Sequence, residues 1–178
     1  MIYSIGLDFD EKTEKKIKND MIKLYEKGVN TYALDNKVPP HITLSIFEYE
    51  HQNINVLNKI VDSTATIFKP DSITFSSIGA FNPPVIFYAP VVTKDMLEIN
   101  ERIYSQLKDV VKSFNQYYIP NNWVPHVALG YKMTESDLLV AFAYIHEIFS
   151  AFEGQYTKLV LSECNPYKGI YVRNLESK

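Results

Sequence analysis

Apolar and polar positions follow an order that runs through the chain twice. Over residues 2–9, Tyr3, Ile5, Leu7 and Phe9 oppose Ile2, Ser4, Gly6 and Asp8, which predicts a strand with one apolar face. A helix should follow from about Glu11 to Lys27, where Ile17, Met21, Leu24 and Tyr25 recur at helical spacing and Gly28 supplies the stop. Residues 30–39 have no period and read as a loop delivering the chain to a strand at His41. Ile54, Leu57, Ile60, Val61 and Phe68 mark the next helix, ended by the effect of Pro70 on its neighbour. Residues 72–81 and 85–92 read as a hairpin around the turn Asn82-Pro83-Pro84.

The second pass opens at Thr93, a cap for a helix whose stripe is Met96, Ile99, Ile103, Leu107, Val110 and Phe114. A loop over 116–124 leads to a strand at His126, and Thr134 with Asp137 forms a capping box for a helix striped by Leu138, Phe142, Ile145, Phe149 and Phe152. Residues 156–164 read as a strand, 165–169 as a turn and 170–174 as the last strand, so that Asn165-Pro166 corresponds to Asn82-Pro83. With no Gly/Ser linker or low-complexity tract between the halves, residues 1–178 should form one domain of two repeats, about 1–84 and 85–178. The expected fold is α+β and bilobal, with two mainly antiparallel sheets facing a central cleft across a pseudo-twofold axis and the helices outside.

Each repeat contains the same short stretch, Pro40-His41-Ile42-Thr43-Leu44 and Pro125-His126-Val127-Ala128-Leu129. Alternation puts His41, Thr43 and Ser45 on one face, and His126, Ala128, Gly130 and Lys132 on the corresponding face with Val127, Leu129 and Tyr131 behind. The expected symmetry would bring the two histidines together across the cleft.

Composition narrows the partners. At 178 residues and 46% apolar the chain can bury a sizeable core, and the formal net charge of −3 argues against sequence-independent grip on long nucleic acid, DNA included. A small or terminal phosphate needs only one or two local cations. Cys164 is the lone cysteine, so no internal disulfide forms, and a reducing cytoplasm fits. The N-terminus meets Asp8 too soon for a signal peptide, and no apolar run approaches the roughly 20 residues that span a bilayer. A soluble cytoplasmic protein, with no membrane partner, is the expectation.

Two histidines facing a polar cleft suit a reaction that needs a base and an acid together, because an unperturbed imidazole titrates near pH 6.5. One takes the proton of an attacking water or hydroxyl while the other protonates the departing oxygen, and no metal or other cofactor is needed. The Thr43 hydroxyl, on the same face as His41, can donate to a phosphate oxygen whose charge grows in the transition state, a contribution of roughly 2.7–4 kcal/mol for donors of this kind.

The paired motifs resemble those of the 2H phosphoesterases, which include the 2′-5′ RNA ligase-like proteins and cyclic nucleotide phosphodiesterases. Their mark is two copies of His-x-(Thr or Ser) followed by an apolar residue on a duplicated bilobal fold. His41-Ile42-Thr43-Leu44 fits that pattern throughout, and the resemblance implies that His41 is catalytic and Thr43 binds phosphate. His126-Val127-Ala128-Leu129 fits at the histidine, which the resemblance makes the second catalytic one, and departs from the pattern at Ala128, which cannot donate. In the family a basic side chain shortly after the second motif is common, so Lys132 resembles a substitute that binds the substrate phosphate. The alternatives are a slow site and one that binds without turnover.

Other candidates carry less. His51 reads as solvated, His146 as a boundary histidine, and neither has metal-ligand spacing, so no metal site is expected. Tyr3, Tyr88, Phe47 and Trp123 are aromatics to consider for stacking a base, with core packing as the default reading for each. The resemblance implies a monomeric phosphodiesterase acting on a 2′,3′-cyclic phosphate or a 2′-5′ linkage at a nucleotide or RNA end. The rivals are a nucleotide- or RNA-end-binding protein that has lost catalysis and a protein-interaction module on the same lobes.

Overall fold

The structure, a computed structural model, describes residues 1–29 and 32–176. Its elements in chain order are β1 (Ile2–Phe9), α1 (Glu11–Glu26), α2 (Tyr32–Asp35), β2 (His41–Glu48), α3 (Asn55–Ala65), β3 (Asp71–Phe81), β4 (Val85–Pro90), α4 (Lys94–Leu107), β5 (Ser113–Phe114), a 3-10 turn (Gln116–Tyr118), β6 (Val127–Tyr131), α5 (Glu135–Ile148), β7 (Phe152–Cys164) and β8 (Tyr167–Asn174). The α+β expectation holds, with every strand pair antiparallel.

The helices form where local signals and apolar stripes agree. Asp10 caps α1 by accepting from the Thr13 backbone N–H, Glu11 and Glu14 lie in its first turn, and Gly28, at φ 79°, takes the left-handed conformation that ends it. Ile17, Met21 and Leu24 supply its buried stripe. Thr93 caps α4 as expected, and both halves of the Thr134/Asp137 capping box are made at the start of α5.

The strands join in the order β5-β2-β1-β7-β3-β4-β6, with β8 also on β7. The two expected sheets are thus hydrogen-bonded into one open sheet, and β7 is the reason. Its residues 158–164 pair with β8 and its residues 152–156 pair with β3 on the same edge, while β1 runs along the opposite edge. One lobe holds β5, β2, β1, β8 and the far half of β7, packed by α3 and α4; the other holds β3, β4 and β6 with the near half of β7, packed by α5 and α1. Each sequence repeat therefore lends elements to both lobes: α1 reaches β6, and α4 reaches β2. A single core cluster runs through both, including Ile5, Leu7, Ile42, Leu44, Ile86, Val127, Leu129 and Leu159.

Several boundaries differ from the periodic reading. The third long helix ends at Leu107, and Phe114 instead enters β5 beside Phe47, where Phe47 and Tyr104 cover its ring. Phe152 opens β7 and stacks on Phe75 at 4.8 Å instead of closing the α5 stripe. The last turn tightens to Asn165-Pro166, so Tyr167 to Gly169 lie in β8. Both Asn-Pro bonds, Asn82-Pro83 and Asn165-Pro166, are cis. The loop expected over 30–39 contains the short α2; Asn30 and Thr31 lie outside the described residues. Among the described residues no helix is long and apolar enough to cross a membrane.

Candidate active site

His41 opens β2 and His126 immediately precedes β6, and the two strands come together at the centre of the molecule. Their rings line one small cavity together with Thr43, Ala128 and Tyr131, walled by Met21, Ala33, Val38 and Pro39. The cavity measures about 30 Å³, above the roughly 10–15 Å³ that a water needs.

Both histidines are held by the same local device. His41 Nδ1 bonds the Pro39 carbonyl at 2.8 Å, and His126 Nδ1 bonds the Val124 carbonyl at 2.8 Å, in each case two residues back across the proline. A carbonyl only accepts, so each Nδ1 must carry the proton and donate it, which fixes the tautomer and the ring plane. In each neutral ring Nε2 is then the basic nitrogen, and among the described residues it has no hydrogen-bond partner.

The surroundings of the two rings differ. Phe81 meets His126 edge-on with centroids 4.9 Å apart, Phe87 lies at 5.3 Å and Tyr118 at 6.3 Å. Burial in this aromatic box, aided by the charge of His41, lowers the His126 pKa below 6.5, and the Val124 bond opposes the shift. His41 instead has Asp8 as its cross-strand neighbour, Gly6 beneath and Tyr167 stacked at 6.3 Å. A Cβ on Gly6 would stand 3.3 Å from His41 Cδ2 and 3.1 Å from the Ile42 carbonyl oxygen, so the close approach of β1 to this ring depends on glycine. Burial raises the Asp8 pKa to about 6; His41 and Lys158 pull it down and Glu14 adds to the rise.

Two bulges reset the faces expected from alternation. In β2, Gly6 pairs with Thr43 and Ile5 with Ser45, which leaves Leu44 as the extra residue; in β6, Phe87 pairs with Ala128 and Ile86 with Gly130, which leaves Leu129. Ser45 therefore lies opposite core residue Ile5 and is buried, instead of sharing the face of His41 and Thr43. Gly130 likewise packs against Met133 and Ile86, and Tyr131, expected behind the strand, turns into the cavity. The carbonyls of Thr43 and Leu44 at the first bulge accept from Trp123 Nε1 at 2.9 Å and Asn100 Nδ2 at 2.8 Å. The first of these ties the segment before His126 to the strand of His41.

Of the residues singled out in the sequence, the cavity gathers His41, Thr43 and His126. Lys132 lies one residue beyond β6 at φ 58°, exposed, with its ammonium 3.8 Å from the Tyr32 ring centroid, and does not line the cavity. The bulge ends the alternation that had aligned it with His126. Tyr3, Phe47, Tyr88 and Trp123 are all buried and cannot stack a ligand base; the Tyr88 hydroxyl donates to Asp20 at 2.9 Å. His51 lies against Tyr49, and His146 is exposed in the last turn of α5. Asp8, Tyr131, Tyr167, Phe81 and Phe87 were not singled out in the sequence. Only Asp8 left a trace there, as the charged member of the polar face of its strand.

Comparison with known proteins follows the same lines. The family model described as the 2′-5′ RNA ligase superfamily matches residues 15–163. This chain belongs to that superfamily. Among solved structures, TT0787 of Thermus thermophilus is similar with a TM-score of 0.68 at 15% identity over 98% of each chain. E. coli LigT in apo form gives 0.62 at 13% identity over 99% of this chain and 98% of its own, and LigT complexed with 3′-AMP gives 0.61 at 13% over 98% of both. At these identities the likeness establishes the fold. No curated protein matches the sequence. The 2H phosphoesterase resemblance carried by the two motifs is thus borne out for the superfamily and for the fold.

Proposed function

We propose that this superfamily member is a metal-independent phosphodiesterase that opens a 2′,3′-cyclic phosphate or a 2′-5′ linkage at a nucleotide or RNA end. The observation that carries the reading is the matched pair of Nδ1-to-carbonyl bonds, which presents two imidazoles of fixed tautomer to one cavity. The cavity suits a water or one phosphoryl oxygen of a bound nucleotide. Lys132, held over Tyr32 at the rim, lends positive charge to the approach of the substrate. That LigT has been solved with 3′-AMP and with phosphate supports a nucleotide phosphate as the ligand class. The protein acts as a monomer, one domain of two repeats.

The unequal surroundings support one division of roles. His126, neutral in its aromatic box, takes a proton on Nε2 from a water whose oxygen attacks phosphorus. As the bond from phosphorus to the ribose oxygen breaks, that oxygen takes a proton from Nε2 of a protonated His41, whose charge Asp8 balances. Thr43 donates to a non-bridging oxygen from the first lobe. Exchange of a proton with solvent then restores both rings.

Turnover of 2′,3′-cyclic nucleotides in EDTA across pH tests this. A bell-shaped profile is expected, with a loss of about 10²- to 10⁴-fold in His41→Ala and in His126→Ala. Wild-type turnover in either variant would overturn the two-histidine mechanism. Ala128, which offers no donor, favours one second reading, a binding protein that has abandoned catalysis. Phosphate-ester binding without turnover would establish it.

A further inference from the structure

Thr43 offers a reacting phosphate a donor from one strand, and Ala128, at the matching position of the other motif, leaves that strand without one. We propose that the Tyr131 hydroxyl supplies it, donating a hydrogen bond to the reacting phosphate from the side opposite Thr43. This rests on the phosphoesterase reading and names a further catalytic residue for it.

The placement follows from the backbone. Because Leu129 is the extra residue of the bulge, Tyr131 faces the cavity that His41, Thr43, His126 and Ala128 also line. Without the bulge, strict alternation would carry its ring into the core with Val127. The ring is supported from the rim, where Tyr32 lies 5.3 Å away between centroids and itself carries the Lys132 ammonium at 3.8 Å. Tyr32, Cys164 and Tyr167 act on the charge of the phenol, and none of them forms a hydrogen bond with it. Burial pushes the Tyr131 pKa up to about 12, so the group is protonated and able to donate across the working pH range. Among the described residues the half-buried phenol has no hydrogen-bond partner, so beside the two histidines it is free to donate to a ligand in the cavity.

The test is a cycle of Y131F and A128T. Phenylalanine keeps the ring and its packing on Tyr32, so circular dichroism and melting should match the wild type. Removing one such donor lowers kcat on the order of 100-fold, with a smaller effect on KM. Adding A128T to Y131F places a hydroxyl back on the same lobe and should restore at least tenfold of that loss. Y131F turnover within twofold of wild type would overturn the proposal, as would a loss that A128T leaves untouched. If the wild type turns over no phosphate ester, the enzyme reading fails by itself. Titration with inorganic phosphate then decides the role of Tyr131: a tenfold weaker affinity in Y131F supports it, and equal affinity or no binding by the wild type overturns it.

Discussion

Asp8 offers the sharpest physical test, because its environment works against stability and for the chemistry. The folded protein holds this carboxyl at a pKa of about 6 against an ordinary 3.8. It therefore binds the Asp8 proton more tightly than the unfolded chain does, and the penalty for ionising Asp8 develops as pH rises from about 4 to about 6 and is constant above. At 1.36 kcal/mol per pKa unit the full difference is about 3 kcal/mol, reduced where a protonated His41 shares the field. Asp8→Asn keeps the size of the side chain and removes the charge. Urea unfolding at a series of pH values should show the variant about 1–3 kcal/mol more stable than wild type above pH 6, with the gain fading towards pH 4. Turnover should move the other way and fall, since the charge that balances His41 is gone. A stability difference that does not change with pH would refute the account of Asp8, and a variant both more stable and fully active would refute its link to His41.

Three further outcomes follow from the same geometry. Gly6→Ala should lower kcat far more than it lowers stability, because the new Cβ presses on the His41 ring and on the Ile42 carbonyl; equal activity at equal stability would show that the ring has room. Trp123→Phe removes the N–H that reaches the Thr43 carbonyl and should cost about 1–3 kcal/mol in chemical denaturation; a change inside the roughly 0.5 kcal/mol of ordinary surface substitutions would dismiss this link. The acid limb of kcat/KM, set by protonation of His126, should lie below pH 6.5 and move up towards that value in Phe87→Ala, which opens the aromatic box to water. A limb that stays in place would mean that burial by Phe87 is not what holds His126 neutral.

The sequence by itself determined the inventory. Periodicity located the long helices, apart from the far end of α4, and seven of the eight described strands to within a few residues, because most elements bury one face and so carry their own spacing. Caps at Thr93 and Thr134 were legible for the same local reason. The duplicated Pro-His motif pointed to His41, Thr43 and His126, since a short motif binds its side chains to a known strand position. Tertiary structure alone decided which neighbours those side chains meet. That β7 joins both lobes depends on edges chosen by packing across the whole chain, and nothing local in Phe152–Cys164 encodes them. The two bulges are features of strand pairs, so a pattern read along one strand put Ser45 in the cleft and Tyr131 behind it, the reverse of what is found. Asp8 acquires its place beside His41 only when β1 pairs with β2, and the aromatic box of His126 only when β3 and β4 fold over it. A side chain's type is written in the sequence, but its proton affinity is set by what surrounds it, and those surroundings are long-range.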